Sequence, residues 1–136
     1  MILHVWRAKI NPTRLEAYRR FEAERCLPML HKQPGLLGVL FVRQTEDHAA
    51  SLTLWEDAGA VEALQSSPSY RQTTHELAES ALLTGNESVE VFEVEGGDLR
   101  PEALLRALDR LRVPMSRRAD LRTADLLRLR VCLRTF

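Results

Sequence analysis

The spacing of apolar residues changes repeatedly along the first 95 positions, and this alternation constrains the fold more than any other feature. Residues 2–10 are rich in β-branched and aromatic types, as expected of a strand, and residues 36–43 form an apolar run typical of a strand covered on both faces. Residues 51–55 follow after a polar loop, which predicts a hairpin. Residues 88–94 alternate apolar and acidic side chains, which predicts a strand with one face in water or against a partner.

Between these strands, apolar residues recur every three or four positions, as on amphipathic helices. The Asn-Pro step at 11–12 is typical of a helix start, and the helix is expected to be interrupted near Pro28. Two further helical pieces are predicted over 58–66 and 68–83, the second ended by Gly85. Positions with helical spacing in the first helix are Leu15, Tyr18, Phe21, Glu22, Cys26, Met29 and Leu30.

The order of these elements is β-α-β-β-α-β, which predicts an α+β, ferredoxin-like domain over residues 1–95. In that arrangement a four-stranded antiparallel sheet carries helices on one side only. The other face bears valine, leucine and tryptophan side chains that would otherwise be exposed to water. The simplest way to bury it is contact with the same face of a second copy. The sequence therefore predicts a homodimer that closes an α/β barrel.

Composition excludes several classes of partner. The chain holds 19 Lys+Arg and 19 Asp+Glu, so no net charge would attract nucleic acid or an anionic membrane. No basic leader with a cleavage site and no long apolar stretch is present, which predicts a cytoplasmic protein. Cys26 and Cys132 lie far apart without metal-ligand spacing, which favours reduced thiols.

Residues 96–136 differ in composition and form a basic C-terminal extension. Residues 98–136 hold ten basic and five acidic side chains, whereas residues 1–97 hold nine and fourteen. A helix starting at Pro101 is predicted, and residues 127–134 alternate with period two, which favours a strand; a short helix over 117–126 also fits. No nucleic-acid recognition motif accompanies the arginines. We expect the extension to pack on the domain or on its dimer mate.

Four landmarks in the first 95 residues resemble the antibiotic biosynthesis monooxygenase (ABM) family of the dimeric α/β-barrel superfamily. The first strand ends in Asn11-Pro12, and the turn Pro34-Gly35-Leu36-Leu37-Gly38 leads into the second strand. The run Leu54-Trp55-Glu56-Asp57 leads into the second helical region, and Ser67-Pro68-Ser69-Tyr70-Arg71 follows at the family's spacing. The resemblance implies the dimeric fold directly, and it implies a reaction less directly, because one fold carries several chemistries.

Members of this family include cofactor-independent oxygenases of anthrone- or quinol-like aromatics and heme-degrading enzymes. The heme-degrading branch carries an Asn on strand one, a Trp on the helix after the third strand and a His further along. Here Val5 and Trp6 stand near the Asn position, Leu64 stands at the Trp position, and His75 lies one residue from the His position. Many other members carry His where Leu64 stands. Heme binding and degradation are therefore the lesser alternative.

A cofactor-free oxygenase needs an apolar cavity and a group that removes a proton from the substrate. His75 is a candidate general base because imidazole titrates near neutrality, and Tyr70 could hydrogen-bond a substrate oxygen. A half-exposed helix histidine and a rim aromatic are the simpler interpretations. The residues expected to bind the substrate, with core packing as their simpler interpretation, are His4, Trp6, Trp55 and Leu64. His4 and Trp6 share one face of the first strand and could line either the pocket or the interior of the dimer barrel. No metal-ligand spacing, phosphate loop or serine-nucleophile motif occurs.

Two functional hypotheses follow. The leading one is an ABM-like homodimer that binds a small hydrophobic aromatic, polyketide- or quinone-like molecule and oxygenates it without metal, flavin or other cofactor. The alternative is a non-catalytic dimeric module for ligand sensing or interaction, favoured by Leu64 at the family's His position and by the basic extension.

Overall fold

The first strand lies in the middle of a four-stranded antiparallel sheet. In the computed structural model, which describes residues 1–111, the strands are β1 (Ile2–Ile10), β2 (Leu36–Arg43), β3 (His48–Trp55) and β4 (Leu83–Glu93), in the spatial order β2-β3-β1-β4. Every neighbouring pair is antiparallel. This arrangement confirms the predicted α+β, ferredoxin-like architecture and the hairpin between the second and third strands.

Helices form the second layer of the domain. They are α1 (Leu15–Phe21), α2 (Leu27–His31), α3 (Ala58–Ser66) and α4 (Pro68–Glu79), and a 3₁₀ turn, Pro12–Arg14, precedes α1. The predicted cap is present, because the Asn11 side chain accepts a hydrogen bond from the Thr13 backbone N–H at 3.1 Å. Asp57 caps α3 in the same way, accepting the Ala60 N–H at 2.8 Å.

A π-helical turn, Glu22–Cys26, joins α1 to α2. The Leu27 N–H bonds to the Glu22 carbonyl five residues earlier, which widens the helix by one residue. Pro28 follows directly and has no N–H to give to the preceding turn, so the regular ladder cannot run through this point. The predicted interruption near Pro28 is therefore present, and it begins six residues before the proline.

Helix α4 ends four residues earlier than predicted, at Glu79, and β4 begins at Leu83. The expected stop at Gly85 was wrong, because Ala81 takes the left-handed conformation (φ 57°) instead. The Ser80 hydroxyl stabilises this turn by donating to the Leu77 carbonyl at 2.5 Å and accepting the Leu82 N–H at 3.2 Å. Side-chain hydrogen bonding here offsets the cost of a non-glycine residue in that region.

Strand β1 has one helix-facing side and one open side. His4, Trp6 and Ile10 lie towards the helices, where two apolar clusters form. The cluster members are Ile10, Tyr18, Ala49, Leu77 and Leu82 in the first, and Met29, Leu30, Trp55, Val61 and Leu64 in the second.

The other face of the sheet carries no helix from residues 1–95. Cross-strand pairing aligns Leu40 with Leu52 and Val42 with Ala50 on this open face. The strand β2 was predicted to be covered on both faces, but it is an edge strand on which Leu40 is 38% and Val42 41% exposed. Phe92 on β4, opposite Leu3, is 47% exposed. We call the surface formed by Leu3, Leu40, Val42, Leu52, Leu54 and Phe92 the open apolar face.

A second unit of the chain begins at Gly96. It contains α5 (Pro101–Asp109), which starts at the predicted proline. The predicted strand over 127–134 and the alternative helix over 117–126 lie outside the described residues. Every helix among residues 1–111 is too short or too polar to span a bilayer.

Gly35 turns the chain from α2 into β2 and provides the first prediction. Its φ is +78°, and a β-carbon there would stand 2.6 Å from the Ala60 β-carbon. We expect Gly35→Ala to lower the free energy of unfolding by at least about 1–2 kcal/mol, because left-handed strain adds to the clash. Chemical denaturation measures the free energy of unfolding. Gly96→Ala is the control, because a β-carbon at Gly96 would have no neighbouring atom within 4 Å. Equal stability of the two variants would contradict this account of the turn.

Candidate active-site cavity

A cavity of about 70 Å³ lies between the helices and the sheet. Its walls combine aromatic, aliphatic and sulfur-containing side chains with a few polar groups. The principal lining residues are His4, Trp6, Tyr18, Phe21, Glu22, Cys26, Met29, Leu64, Tyr70 and Glu87. Strand β1, helix α1 with its π-turn, and helix α4 therefore all contribute to one concave surface.

Glu22 is the buried carboxyl group of this cavity, with 9% of its surface exposed. The Tyr18 hydroxyl, one helical turn earlier, donates a hydrogen bond to it. Burial raises the pKa of Glu22 to about 7, against smaller lowering effects from the Tyr18 hydrogen bond and from the charges of Arg43 and Arg19. The carboxyl group is thus held close to half-ionised at neutral pH.

His4 forms the opposite wall on β1 and is 5% exposed. Burial lowers the pKa of His4, so its ring is neutral at pH 7. Among residues 1–111 no hydrogen bond engages its ring nitrogens. A buried polar group without a protein partner is uncommon, which marks His4 as available to a ligand or to water.

Two aromatic side chains stand at the edge of the cavity. The Trp6 indole N–H donates to the Glu87 carboxylate at 3.0 Å, which fixes the ring beside the opening. Burial raises the pKa of the Tyr70 hydroxyl, with a further contribution from the nearby Glu87 charge, so the phenol stays protonated and can donate. These groups offer apolar contact and hydrogen bonding to a flat ligand.

Cys26 also lines the cavity, and its thiol has low reactivity at neutral pH. Burial raises the pKa of the thiol to about 12, helped by the Glu22 charge. Because the thiolate is the reactive form, Cys26 at neutral pH is a weakly polar wall residue.

The structure brings together four of the six residues singled out from the sequence. His4, Trp6, Leu64 and Tyr70 line the cavity. Trp55 is fully buried behind the wall, where its indole N–H donates to the Thr53 hydroxyl at 2.8 Å.

His75 lies on the exposed side of α4 and is not among the cavity-lining residues. A catalytic role for His75 stays a prediction from the sequence, and the geometry favours a different group for proton transfer.

Glu22 is the functional candidate that the sequence reasoning missed. A signal for it was present, because Glu22 occupies an apolar-spaced position of the first helix, between Phe21 and Cys26. Burying a carboxylate on the apolar side of an amphipathic helix costs free energy unless the group is paired or hydrogen-bonded, so such a position is a candidate for a functional role. The π-turn that starts at Glu22 is a second indication, since such turns are frequent at functional sites.

A wider concavity on the open side of the sheet is less suited to a specific ligand. Of the three lysine and arginine side chains that line it within residues 1–111, two are already paired, Arg7 with Glu90 at 2.9 Å and Lys9 with Asp47 at 3.6 Å. Among residues 1–111, no group of three His, Cys, Asp or Glu side chains could hold a metal ion.

The burial of Glu22 predicts a pH-dependent stability difference. Because the folded protein binds the Glu22 proton more tightly than the unfolded chain does, protonation of Glu22 stabilises the fold. This contribution is fully present at pH values below 4.5, the ordinary pKa, and is lost as the pH rises through about 7. We expect the wild type to lose on the order of 3 kcal/mol relative to Glu22→Gln across that interval. Urea unfolding at pH 4.5 and pH 8 measures the difference, with Glu62→Gln on the exposed side of α3 as the control. A pH-independent difference between the wild type and Glu22→Gln would contradict the burial of this carboxyl group.

Known structures share this fold at low sequence identity. A protein of unknown function from Nitrosomonas europaea superposes with a TM-score of 0.61 at 16% identity, covering 73% of this chain and 93% of that one. A putative antibiotic biosynthesis monooxygenase from Deinococcus radiodurans gives 0.61 at 15% identity, covering 74% and 97%. SnoaB, a cofactor-independent oxygenase from Streptomyces nogalater, gives 0.54 at 18% identity, covering 71% and 94%.

Family assignment rests on the sequence itself. No curated protein matches the chain. The model of the antibiotic biosynthesis monooxygenase family matches residues 1–77, which include β1, the hairpin and most of α4. This range holds the four landmark segments named above and every cavity residue described here except Glu87. The chain therefore belongs to the antibiotic biosynthesis monooxygenase family.

Proposed function

We propose that this protein is a homodimeric, cofactor-independent monooxygenase that binds a small aromatic quinol-like molecule between its helices and sheet. The observation that carries the proposal is the composition of the cavity: aromatic and apolar walls surround one buried carboxyl group. Apolar walls with a few placed polar groups are typical of small-molecule sites. The fold shared with a cofactor-independent oxygenase supports the same class of reaction.

The dimensions of the cavity favour a small ligand. Its volume of about 70 Å³ is below the roughly 300–1,000 Å³ typical of drug-sized ligands. Trp6, Phe21 and Tyr70 provide aromatic surface for a single ring, and Met29 and Leu64 complete the apolar part of the wall.

The proposed reaction balances without a bound cofactor. A hydroquinone loses a proton, and the resulting phenolate transfers an electron to O₂. A carbon–oxygen bond then forms on the ring, the O–O bond breaks, and one oxygen atom leaves as water. One hydroquinone and one O₂ thus give one hydroxyquinone and one water. The protein supplies a dry cavity and a proton acceptor.

The open apolar face supports the homodimer. Three of its side chains, Leu40, Val42 and Phe92, are between 38% and 47% exposed in the single chain, and the other three are partly exposed. A contiguous apolar surface of this kind is costly in a monomer and is typical of an interface. Pairing with the same face of a second copy buries it symmetrically.

Oxygen consumption tests the proposed reaction. We expect the protein to consume O₂ in the presence of one or more members of a panel of hydroquinones and anthrones, without added metal or flavin. A hydroquinone should give the hydroxyquinone, and an anthrone should give the anthraquinone. An oxygen electrode and product mass measurement follow the reaction, with anaerobic incubation as the control. No uptake and no binding across the whole panel would contradict the oxygenase.

Sedimentation tests the dimer. We expect the wild type to sediment as a dimer at micromolar concentration and Leu40→Asp to shift to monomer, because a charge replaces an apolar side chain on the open face. Gln65→Asp, exposed on α3, is the control and should remain dimeric. A monomeric wild type would contradict this use of the open apolar face.

A further inference from the structure

We propose that Glu22 is the catalytic base of the cavity, accepting the proton of an uncharged, hydroxylated aromatic substrate while Tyr18 holds its carboxylate in position. The proposal rests on the proposed function and adds to it the proton acceptor and the charge of the substrate.

The contacts of Glu22 leave room for a substrate. An ionised carboxylate offers about four acceptor positions, and the Tyr18 hydroxyl takes one of them. Within residues 1–111, Glu22 forms no ion pair with an arginine or a lysine; Arg43 and Arg19 act on it only through their charge. Because the side chain lines the cavity and is almost wholly removed from bulk water, its remaining acceptor positions are open to a bound molecule.

The backbone fixes where this carboxyl group stands. Residues four apart lie on one side of a helix, so Tyr18 and Glu22 share the cavity side of α1 and its π-turn. The Leu27 N–H bonds to the Glu22 carbonyl, and this wide turn keeps Cys26 on the same wall. The base therefore sits on helical backbone, with its position reinforced by the Tyr18 hydrogen bond.

The charges of the wall define the class of substrate. The described lining residues include two carboxyl groups, Glu22 and Glu87, and no lysine or arginine. Because Arg43 and Arg19 are not among these lining residues, an anionic ligand would contact two acidic groups and no lysine or arginine, at a cost that low dielectric increases. A neutral phenol or hydroquinone instead donates its hydroxyl proton to Glu22. The His4 ring, which has no hydrogen-bond partner among residues 1–111, can bond to a second hydroxyl.

Ionisation of Glu22 sets the pH range of the reaction. Because burial raises its pKa to about 7, the carboxylate is available at and above neutral pH and is a stronger base than an exposed glutamate. The titratable and charged groups that face it are Tyr18, Arg19 and Cys26 along the first helix, His4 on β1, Arg43 on β2, Tyr70 on α4 and Glu87 on β4.

Of these neighbours, several keep one protonation state near pH 7. Burial raises the pKa values of Tyr18, Cys26 and Tyr70 and lowers that of His4. The titration of Glu22 therefore falls between pH 6 and pH 8, where the Cys26 thiol and the two phenols stay protonated.

Hydroquinone binding and oxygen uptake together test the proposal on the full-length protein. Calorimetry at pH 6 and pH 8 is expected to show about tenfold tighter hydroquinone binding by the wild type at pH 8, because the ionised fraction of Glu22 rises about tenfold. Glu22→Gln should bind without this pH dependence and lose about 10²–10⁴-fold in kcat. A carboxylated hydroquinone should bind at least about tenfold more weakly than hydroquinone.

Two further variants separate the role of the base from folding. Glu22→Asp restores a carboxylate and should recover part of the pH dependence of binding. Glu87→Gln removes the other carboxyl group of the cavity and should keep that dependence, because Glu22 is still present. Circular dichroism checks that each variant is folded.

Each combination of results decides between the proposals. Full kcat and an unchanged pH profile in Glu22→Gln, with oxygen uptake by the wild type, would overturn the base and leave the oxygenase standing. Hydroquinone binding that depends on Glu22 and pH, without oxygen uptake, would support Glu22 as proton acceptor and overturn the oxygenase. Neither uptake nor Glu22-dependent binding would overturn both.

Discussion

The two faces of strand β1 are the constraint on which both the cavity and the proposed dimer depend. The strand pairs along both edges, with β3 on one side and β4 on the other, so its register is fixed by two ladders. His4 and Trp6 consequently face the helices and form the cavity wall, whereas Leu3 and Val5 face the open side. A slip of one residue would exchange these sets, because side chains alternate along a strand.

Burial of Glu22 costs stability, and the same burial gives the carboxyl group the raised pKa on which its proposed role depends. A leucine in place of Glu22 would pack in the same apolar wall without the cost of burying a charge. The carboxyl group is tolerated because the Tyr18 hydroxyl bonds to it and because at neutral pH it is ionised only in part. This cost is typical of functional sites, where a group is kept in an environment that alters its acidity.

The sequence predicts the architecture well, because the architecture depends on patterns that repeat over many residues. Strand β2 and helix α3 occur at the predicted bounds, and the cap at Asn11 is present. The end of α4 was predicted wrongly, because Ala81 adopts a conformation usually taken by glycine and a single Ser80 hydroxyl stabilises it. Such local hydrogen bonding has no periodic signature.

The site was less predictable because it depends on which side chains meet in space. Four of the candidate residues from the sequence line the cavity: His4, Trp6, Leu64 and Tyr70. Trp55 lies behind the wall, and His75 lies on the exposed side of α4. Glu22 was passed over because its helical spacing was interpreted only as amphipathic packing. Its burial and its bond to Tyr18 become visible only once α1 lies on the sheet.

Carbon-13 NMR of the Glu22 carboxyl group tests the central claim most directly, namely that this buried carboxyl group receives the proton of a bound phenol. In protein labelled at glutamate, Glu22→Gln identifies the side-chain carboxyl resonance. The account predicts a titration midpoint of about 7 and a shift of the resonance when hydroquinone is added. A midpoint at the ordinary value of 4.5, with a resonance unaffected by hydroquinone, would contradict it.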